Sequence, residues 1–269
     1  MEIALGFVIA VAIALTGVGA GSMTTPILML AFGVSPAVAV GSSLAFGFVV
    51  KVFSTPVYLA RRQVHYPTLG LLLLGGLPGV VLGSFLLGSL DRTAAHDRLL
   101  YGLIGVIIAG TALLHLWRMT RLRPSGATHD RSRLLPWLAL PIGAEVGFSS
   151  AGAGALGSLL MLTMTPLAAA EIVGTDLAFG LVLSLVGSGF QLSSGNYDGY
   201  LLAKLIAGGV AGAIAGSLLA GRVAQRPMRF ALLVALVLLG GQLCWRAVSP
   251  PAARPAAQAR FTPAALAAR

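Results

Sequence analysis

The sequence predicts an all-α, polytopic membrane protein built from two repeats of about four helical segments each. Three observations predict this class: the apolar composition, the recurrence of membrane-length apolar runs, and an internal repeat. Hydrophobic residues make up 57% of the 269 residues, only 10% are charged, and the mean hydropathy is +0.91. A soluble domain carries about 25% charged residues, so the deficit indicates a membrane protein with many spans.

Apolar runs, each long enough to cross about 30 Å of hydrocarbon, recur along the whole chain. They lie at 3–33, 36–60, 67–90, 98–118, 134–165, 167–192, 199–222 and 228–248. Arginine clusters between the runs give a net charge of +10 and a pI near 11.0. Cytoplasmic loops of membrane proteins carry such an excess, so we expect membrane lipid and no nucleic acid as partner. The single cysteine, Cys244, excludes an internal disulfide, and the four histidines lack ligand-like spacing, so we expect no metal and no cofactor.

The second half of the chain repeats the first. A shift of 133 residues aligns Gly17–Leu90 with Ser150–Val223 at 21 identities over 74 positions, where shared composition alone would give roughly seven. Nine of the identities are glycines. Secondary transporters are built from such repeated halves, with the binding site between them. The predicted organisation is a first transmembrane repeat over 1–120, an Arg-rich linker over 121–133, a second repeat over 134–248 and a disordered tail over 249–269.

The first apolar run of each repeat is too long for one straight span, and small residues interrupt it near its centre. The interruptions are "GVGAGS" (17–22) within 3–33 and "SSAGAGALGS" (149–158) within 134–165. Glycine breaks a helix readily and lets the backbone approach another group closely. Unpaired backbone groups are tolerated at membrane depth only when they are buried in protein or line a wet cavity. We therefore predict a buried break in each of these two segments.

A half-helix that begins after each break, near Ser22 or Gly154, would direct its free N–H groups and positive dipole end at the break. Such an end favours an anion. A dinucleotide-binding G-x-G motif is disfavoured, because no strand or βαβ unit surrounds it. Tight packing of helices is the other interpretation of the glycines, and it suits the runs at 75–88 and 208–221 better than the two breaks.

Few ionisable residues fall inside the apolar runs, and each costs about 2.5–3.5 kcal/mol at a helix centre. They are Lys51, Glu145, Glu171, Asp176 and Lys204. Glu171 and Lys204 lie near span ends and are predicted to extend to the membrane surface. Gln191, Asn196 and Asp198 are predicted to be loop residues.

A polar stripe runs along one face of the second segment of each repeat. In the first repeat it consists of Ser43, Gly47, Lys51 and Ser54. The counterparts after the 133-residue shift are Asp176, Gly180, Ser184 and Gly187. Lys51 could attract an anion or pair with Asp176, and Asp176 could carry a coupling proton. Glu145, before the second break, is another candidate proton carrier, and a purely structural pair of Lys51 with a carboxylate is the alternative.

Two topologies compete. If both broken segments cross the membrane fully, there are eight spans and parallel repeats, with seven Arg on one side against five on the other. If each is a re-entrant hairpin, three full spans follow in each repeat, the repeats are inverted, and ten Arg face two. The positive-inside bias favours the hairpins.

The motifs resemble those of a known family. The stretches "GVGAGSMTTPILML" (17–30) and "AVAVGSSLAF" (37–46), followed by "RRQVHYPTLGLLLLGGLPGVVLGSFLL" (61–87), resemble the TauE/SafE family of sulfite exporters. In the second repeat, "GFSSAGAGALG" (147–157) is similar to the matching element, and the resemblance covers about residues 3–247. It implies a small permease of the bacterial cytoplasmic membrane. The implied cargo is a small sulfur-containing anion such as sulfite, sulfoacetate or another organosulfonate, with protons as the driving ion.

The hypothesis is therefore a proton-coupled secondary transporter, with a small anionic substrate bound between the repeats. The expected substrate-binding residues are Gly19, Ala20, Gly21, Ser22, Thr25, Ser43, Lys51, Ser149, Gly152, Gly154 and Thr175. Asp176 or Glu145 would carry the proton. A passive anion or solute channel through the same breaks is the alternative. An enzyme or assembly factor is disfavoured, because no nucleophile and base pair up in the sequence. The sequence leaves homo-oligomerisation open.

Overall fold

A computed structural model of the protein describes residues 1–17, 19–89, 94–121, 132–151, 154, 156–219 and 225–249. Within these ranges the chain folds into α-helices with one short 3-10 turn and no strand. The helices are α1 (Glu2–Thr16), α2 (Ala20–Ala31), α3 (Pro36–Ala60), α4 (Tyr66–Ser89), α5 (Ala94–Arg121), α6 (Leu135–Ser149), α7 (Leu156–Met164), α8 (Ala169–Ser193), α9 (Gly199–Leu219) and α10 (Gln225–Val248). The all-α prediction is confirmed.

Both long apolar runs are broken, as predicted. The first divides into α1 and α2, and the second into α6 and α7, so the new helices begin at Ala20 and Leu156, each two residues from the predicted start. The residues that end α1 and α6 are Gly17 and Ser150, and both adopt left-handed backbone conformations, with φ of 70° and 63°. For Ser150 this conformation costs about 1–2 kcal/mol, because its Cβ crowds the backbone.

Six helical stretches of the described chain are long and apolar enough to cross a membrane. They are Pro36–Ala60, Tyr66–Ser89, Asp97–Trp117, Ala169–Ser193, Gly199–Leu219 and Phe230–Val248. The broken segments are shorter: α1 has 15 residues and α2 has 12, which at 1.5 Å per residue gives about 22 Å and about 18 Å. Neither spans about 30 Å of hydrocarbon alone. The protein is a multi-pass membrane protein.

Helices α3 and α8 occupy corresponding positions in the two halves and run antiparallel. Gly187 of α8 packs on Leu44 of α3, whereas the earlier Gly180 packs on the later Lys51. Residue numbers therefore rise along one helix as they fall along the other. Two units related by an axis along the membrane normal would place corresponding helices parallel, so this crossing favours inverted units.

Helix α1 runs parallel to α9, which belongs to the other half. Gly208 packs against the carbonyl of Ile3. Eight residues later in both helices, Gly216 packs against Val11. Because α9 follows α8 after the short connection at 194–198, it is antiparallel to α8 and thus parallel to α3. Helices α1 and α3 then point the same way, and α2 must return to the side where α1 began. The geometry favours the re-entrant hairpins with three spans per half.

Matching contacts recur in the two halves. Helix α6 packs on α4 as α1 packs on α9: Gly75 lies against the carbonyl of Pro136, and these residues stand 133 positions from Gly208 and Ile3. A Cβ added at Gly75 or Gly208 would overlap backbone. The packing interpretation of the glycine runs at 75–88 and 208–221 is therefore confirmed at these positions.

Two expectations fall mostly outside the described residues. Of the predicted linker at 121–133, the structure describes only Arg121 and residues 132–133. Of the predicted tail at 249–269, it describes only Ser249. The boundaries of the two repeats stay predictions.

Candidate functional site

The two helix breaks touch each other. The Thr25 hydroxyl on α2 donates to the Ser149 carbonyl at the end of α6, with an oxygen–oxygen distance of 3.4 Å. Gly21, the second residue of α2, packs so closely on Ser150 that an added Cβ would overlap both the carbonyl oxygen and the hydroxyl. The first turn of α2 thus lies directly against the residue that ends α6. The sequence predicted this convergence through the repeat.

Several predicted residues belong to this contact or its backbone. Gly19 caps α2, and its carbonyl accepts a 2.7 Å hydrogen bond from the Ser22 hydroxyl. Gly154 is buried between α6 and α7. Gly152 and the side chain of Ala20 lie outside the described residues.

Asp176 lies between the end of α1 and the first turn of α7. Its side chain is 1% exposed, and its carboxylate accepts a 2.9 Å hydrogen bond from the Ser158 hydroxyl. Gly157 packs on the same carboxylate, and a Cβ added at Gly17 would lie 3.9 Å from its Oδ2. A negative charge at the first turn of a helix is stabilised by the helix dipole. The Asp176 carboxylate therefore lies next to residues of both breaks.

Lys51 of α3 is a buried cation that packs on α8, the helix that carries Asp176. It is 4% exposed, and its ammonium donates to the Ser184 hydroxyl at 2.9 Å. Between Asp176 and Ser184 stands Gly180, where an added Cβ would come 3.1 Å from the Lys51 nitrogen. Asp176, Gly180 and Ser184 follow one another along α8 at intervals of about one helical turn, so they lie on one face of that helix. The Lys51 ammonium packs on this face, and it and the Asp176 carboxylate attract each other.

Some buried polar atoms of the described site region have no hydrogen-bond partner. They include Ser43 Oγ, Ser150 Oγ and Glu145 Oε1. An unmet polar group of this kind costs about 1–3 kcal/mol. A small polar ligand beside the two serines would meet part of that cost.

Thr175, which the sequence predicts to bind substrate, also contacts a distant connection, and its role in binding stays a prediction. Its hydroxyl accepts a 2.9 Å hydrogen bond from the backbone N–H of His65, in the connection between α3 and α4. Ser42 makes the matching contact in the other half, accepting from the N–H of Asp198 at 3.1 Å. Neighbouring positions on a helix face different ways, so Asp176 and Thr175 serve different contacts.

Some polar residues near the span ends form contacts close to the surface, and others are buried. Lys204 forms a 2.9 Å ion pair with Glu2 near the surface, and Glu171 accepts from the N–H of Ala168. The loop prediction is wrong for Gln191, which lies in the last turn of α8, and is confirmed for Asn196, which lies in the connection to α9. Both residues are buried and share a 2.7 Å hydrogen bond.

Asp198 is a helix cap: its Oδ1 accepts from the N–H groups of Tyr200 and Leu201. Across the described ranges, no three His, Cys, Asp or Glu side chains come together as metal ligands.

Sequence reasoning missed Ser150 and Ser158. Ser158 is the counterpart of Thr25 after the 133-residue shift, so the repeat contained a signal for it. Ser150 corresponds to Gly17, and its left-handed conformation is a feature that only the structure reveals.

Comparison with known proteins agrees with this architecture. Residues 2–243 match the family model described as Sulfite exporter TauE/SafE. The Bacillus subtilis (strain 168) protein named "Probable membrane transporter protein YjnA" is 26% identical over 247 residues, covering 89% of this chain and 96% of the relative. No solved structure matches. The family match takes in both breaks and every buried polar residue discussed above, and the chain belongs to the TauE/SafE sulfite exporter family of membrane transport proteins.

Proposed function

We propose that the protein is a secondary transporter that moves a small sulfur-containing oxyanion, such as sulfite or an organosulfonate, across the bacterial cytoplasmic membrane. Membrane transport follows from the family and the relative. The observation that carries the finer proposal is the contact between the two breaks, because it brings a helix N-terminus and buried hydroxyls together. A buried cation, Lys51, packs on the face of α8 that also presents Asp176. The helix N-terminus, the hydroxyls and the ammonium each favour a negative charge.

The anion would be held mainly at the first turn of α2. Within that turn the Ser22 N–H already donates to the Gly19 carbonyl at 3.2 Å, which leaves the two N–H groups before it, since the first backbone donors of a helix lack partners within the helix. The hydroxyls of Ser43 and Ser150 are buried without partners. Lys51 adds positive potential from within the protein, where screening by salt is weak. Thr25 and Ser149 fix the position of α2 relative to α6.

Proton coupling would use Asp176 or Glu145. In the arrangement described above, the Asp176 carboxylate attracts the Lys51 ammonium. A proton on Asp176 removes that negative charge, and the ammonium can then attract the substrate instead. Proton and anion would thereby bind together. Glu145 is the second candidate, because one of its carboxyl oxygens is buried without a partner.

The test is uptake of radiolabelled sulfite by proteoliposomes with an imposed pH gradient. We expect saturable, proton-dependent uptake that Lys51→Met and Asp176→Asn abolish. Lys204→Met is the matched control, since that lysine forms a partly exposed pair with Glu2 and should leave uptake intact. Equal uptake by all three variants would overturn the site. Flux that rises linearly with sulfite, without counterflow or pH dependence, would indicate a channel.

The substrate can be narrowed separately. Ligands that prefer the folded state raise apparent stability, so purified protein is heated with sulfite, thiosulfate, sulfoacetate, taurine or carboxylates. We expect the oxyanions of sulfur to raise the melting temperature more than the carboxylates. An equal response to all of them would contradict the proposed selectivity.

A further inference from the structure

The two halves differ in charge at one corresponding pair of positions. Ser43 on α3 stands 133 residues before Asp176 on α8. The residues just before them, Ser42 and Thr175, accept matching hydrogen bonds from the opposite connection. Positions 43 and 176 therefore occupy equivalent places in the two halves, and only the second is a carboxylate.

The second break already contains an anion of the protein itself. The Asp176 carboxylate accepts from Ser158, the third residue of α7, and packs on Gly157, the second residue. It thus occupies the place at the N-terminal turn of α7 where an external anion would bind. A second anion there would meet both a steric and an electrostatic barrier.

The first break also precedes a helix, α2, and Ser43, the position that corresponds to Asp176, has a hydroxyl instead of a carboxylate. Ser43 is fully buried and Ser150 is 5% exposed, and neither hydroxyl has a hydrogen-bond partner. Ser150 lies directly against Gly21, in the first turn of α2, and its left-handed backbone holds the hydroxyl there. The residues of α7 that contact Asp176, Gly157 and Ser158, correspond to Thr24 and Thr25 of α2, so we expect Ser43 to face α2 one turn after its start.

We propose that the two breaks are unequal anion sites: the first binds the anionic group of the substrate, and Asp176 closes the second to anions. This deepens the proposed function and rests on it. Ser43, Ser150 and the first N–H groups of α2 supply donors to several oxygens of one small oxyanion. Each chain then binds one anion, although its fold contains two related helix ends.

The first test compares two variants at position 43 by calorimetric titration of the purified full-length protein with sulfite. Ser43→Asp places a carboxylate where the substrate would bind, and we expect affinity to fall by at least about tenfold. Ser43→Asn has nearly the same size without the charge, and we expect affinity within about threefold of the wild type. Equal affinities of these two variants would overturn the proposal.

The second test moves the charge. Asp176→Ser opens the second helix end, and we expect the stoichiometry to rise from one sulfite per chain to two. The exchange variant Ser43→Asp/Asp176→Ser restores one charge and one free helix end, so we expect it to recover the binding that Ser43→Asp loses. Unchanged stoichiometry in folded Asp176→Ser, together with no recovery in the exchange variant, would overturn the inference.

The two proposals fail in different ways. Wild-type protein that binds none of sulfite, thiosulfate and sulfoacetate would overturn the proposed function and this inference together. Wild-type protein that binds and transports sulfite, but tolerates Ser43→Asp as well as Ser43→Asn, would overturn only the inequality of the two breaks.

Discussion

Lys51 donates a 2.9 Å hydrogen bond to Ser184, the residue 133 positions later that corresponds to it in the other half. A residue can touch its own counterpart only close to the axis that relates two halves. The contact is therefore expected near the axis of the predicted repeat, where Lys51 has a positive charge and Ser184 a hydroxyl. The two corresponding positions thus differ in charge.

The hydrogen bond between Lys51 and Ser184 should show energetic coupling. Hydrogen bonds to charged groups contribute about 1.5–3 kcal/mol, so we expect Ser184→Ala to lower the free energy of unfolding by about that amount. In the Lys51→Met background the same change should cost much less, because the ammonium is absent. A double-mutant cycle of unfolding free energies measures the coupling, and additive effects would contradict the contact.

Two glycines of α4 should respond oppositely to alanine. Gly75 packs against the backbone of Pro136, so Gly75→Ala must push two helices apart and should cost about 1–3 kcal/mol. Gly70 has open space around its Cα, so Gly70→Ala should stabilise the helix by about 0.5–1 kcal/mol. Unfolding free energies of the two variants check this, and equal effects would contradict the close approach of α4 and α6.

The re-entrant topology predicts the sides of two connections. In a Cys244→Ser background, single cysteines at Ser35 and Ser194 should react with a membrane-impermeant thiol reagent from the same side of intact cells. A cysteine at Gln63 should react only after the membrane is permeabilised, since ten Arg cluster on that side. Eight full spans would instead place positions 35 and 194 on opposite sides.

Substitution of Thr175 should lower the stability of the protein, whereas substitution of Ser43 should weaken the binding of sulfite. Thr175→Val leaves the N–H of His65 without its acceptor and should cost about 1–3 kcal/mol of stability. The sulfite concentration for half-maximal uptake should stay the same. Ser43→Ala should raise that concentration with little loss of stability. A higher sulfite concentration for half-maximal uptake by Thr175→Val would instead indicate that Thr175 contributes to substrate binding.

The sequence was sufficient for the breaks and for their approximate place, because these two glycine clusters interrupt apolar runs that are too long for one straight span. The glycines at 75–88 and 208–221 lie in runs of ordinary span length and serve helix packing. The sequence also carried the correspondence of Lys51 with Ser184. It did not reveal that α1 packs on α9, since a repeat shows which residues are equivalent and not which residues touch. The orientation of Thr175 was missed for a related reason: adjacent helix positions face different neighbours, and the partner of Thr175 is a backbone N–H of a distant connection.

The first helix of each half packs on a helix of the other half, α1 on α9 and α6 on α4, and this has a consequence for how the protein is synthesised and folded. Helix α1 is synthesised well before its packing partner α9, which begins only at Gly199. Until α9 is synthesised, the hairpin of α1 and α2 lacks its packing partner in the bilayer, and we expect the insertion machinery to hold it. We therefore expect that neither half matures alone and that separately expressed halves accumulate only when both are synthesised in the same cell.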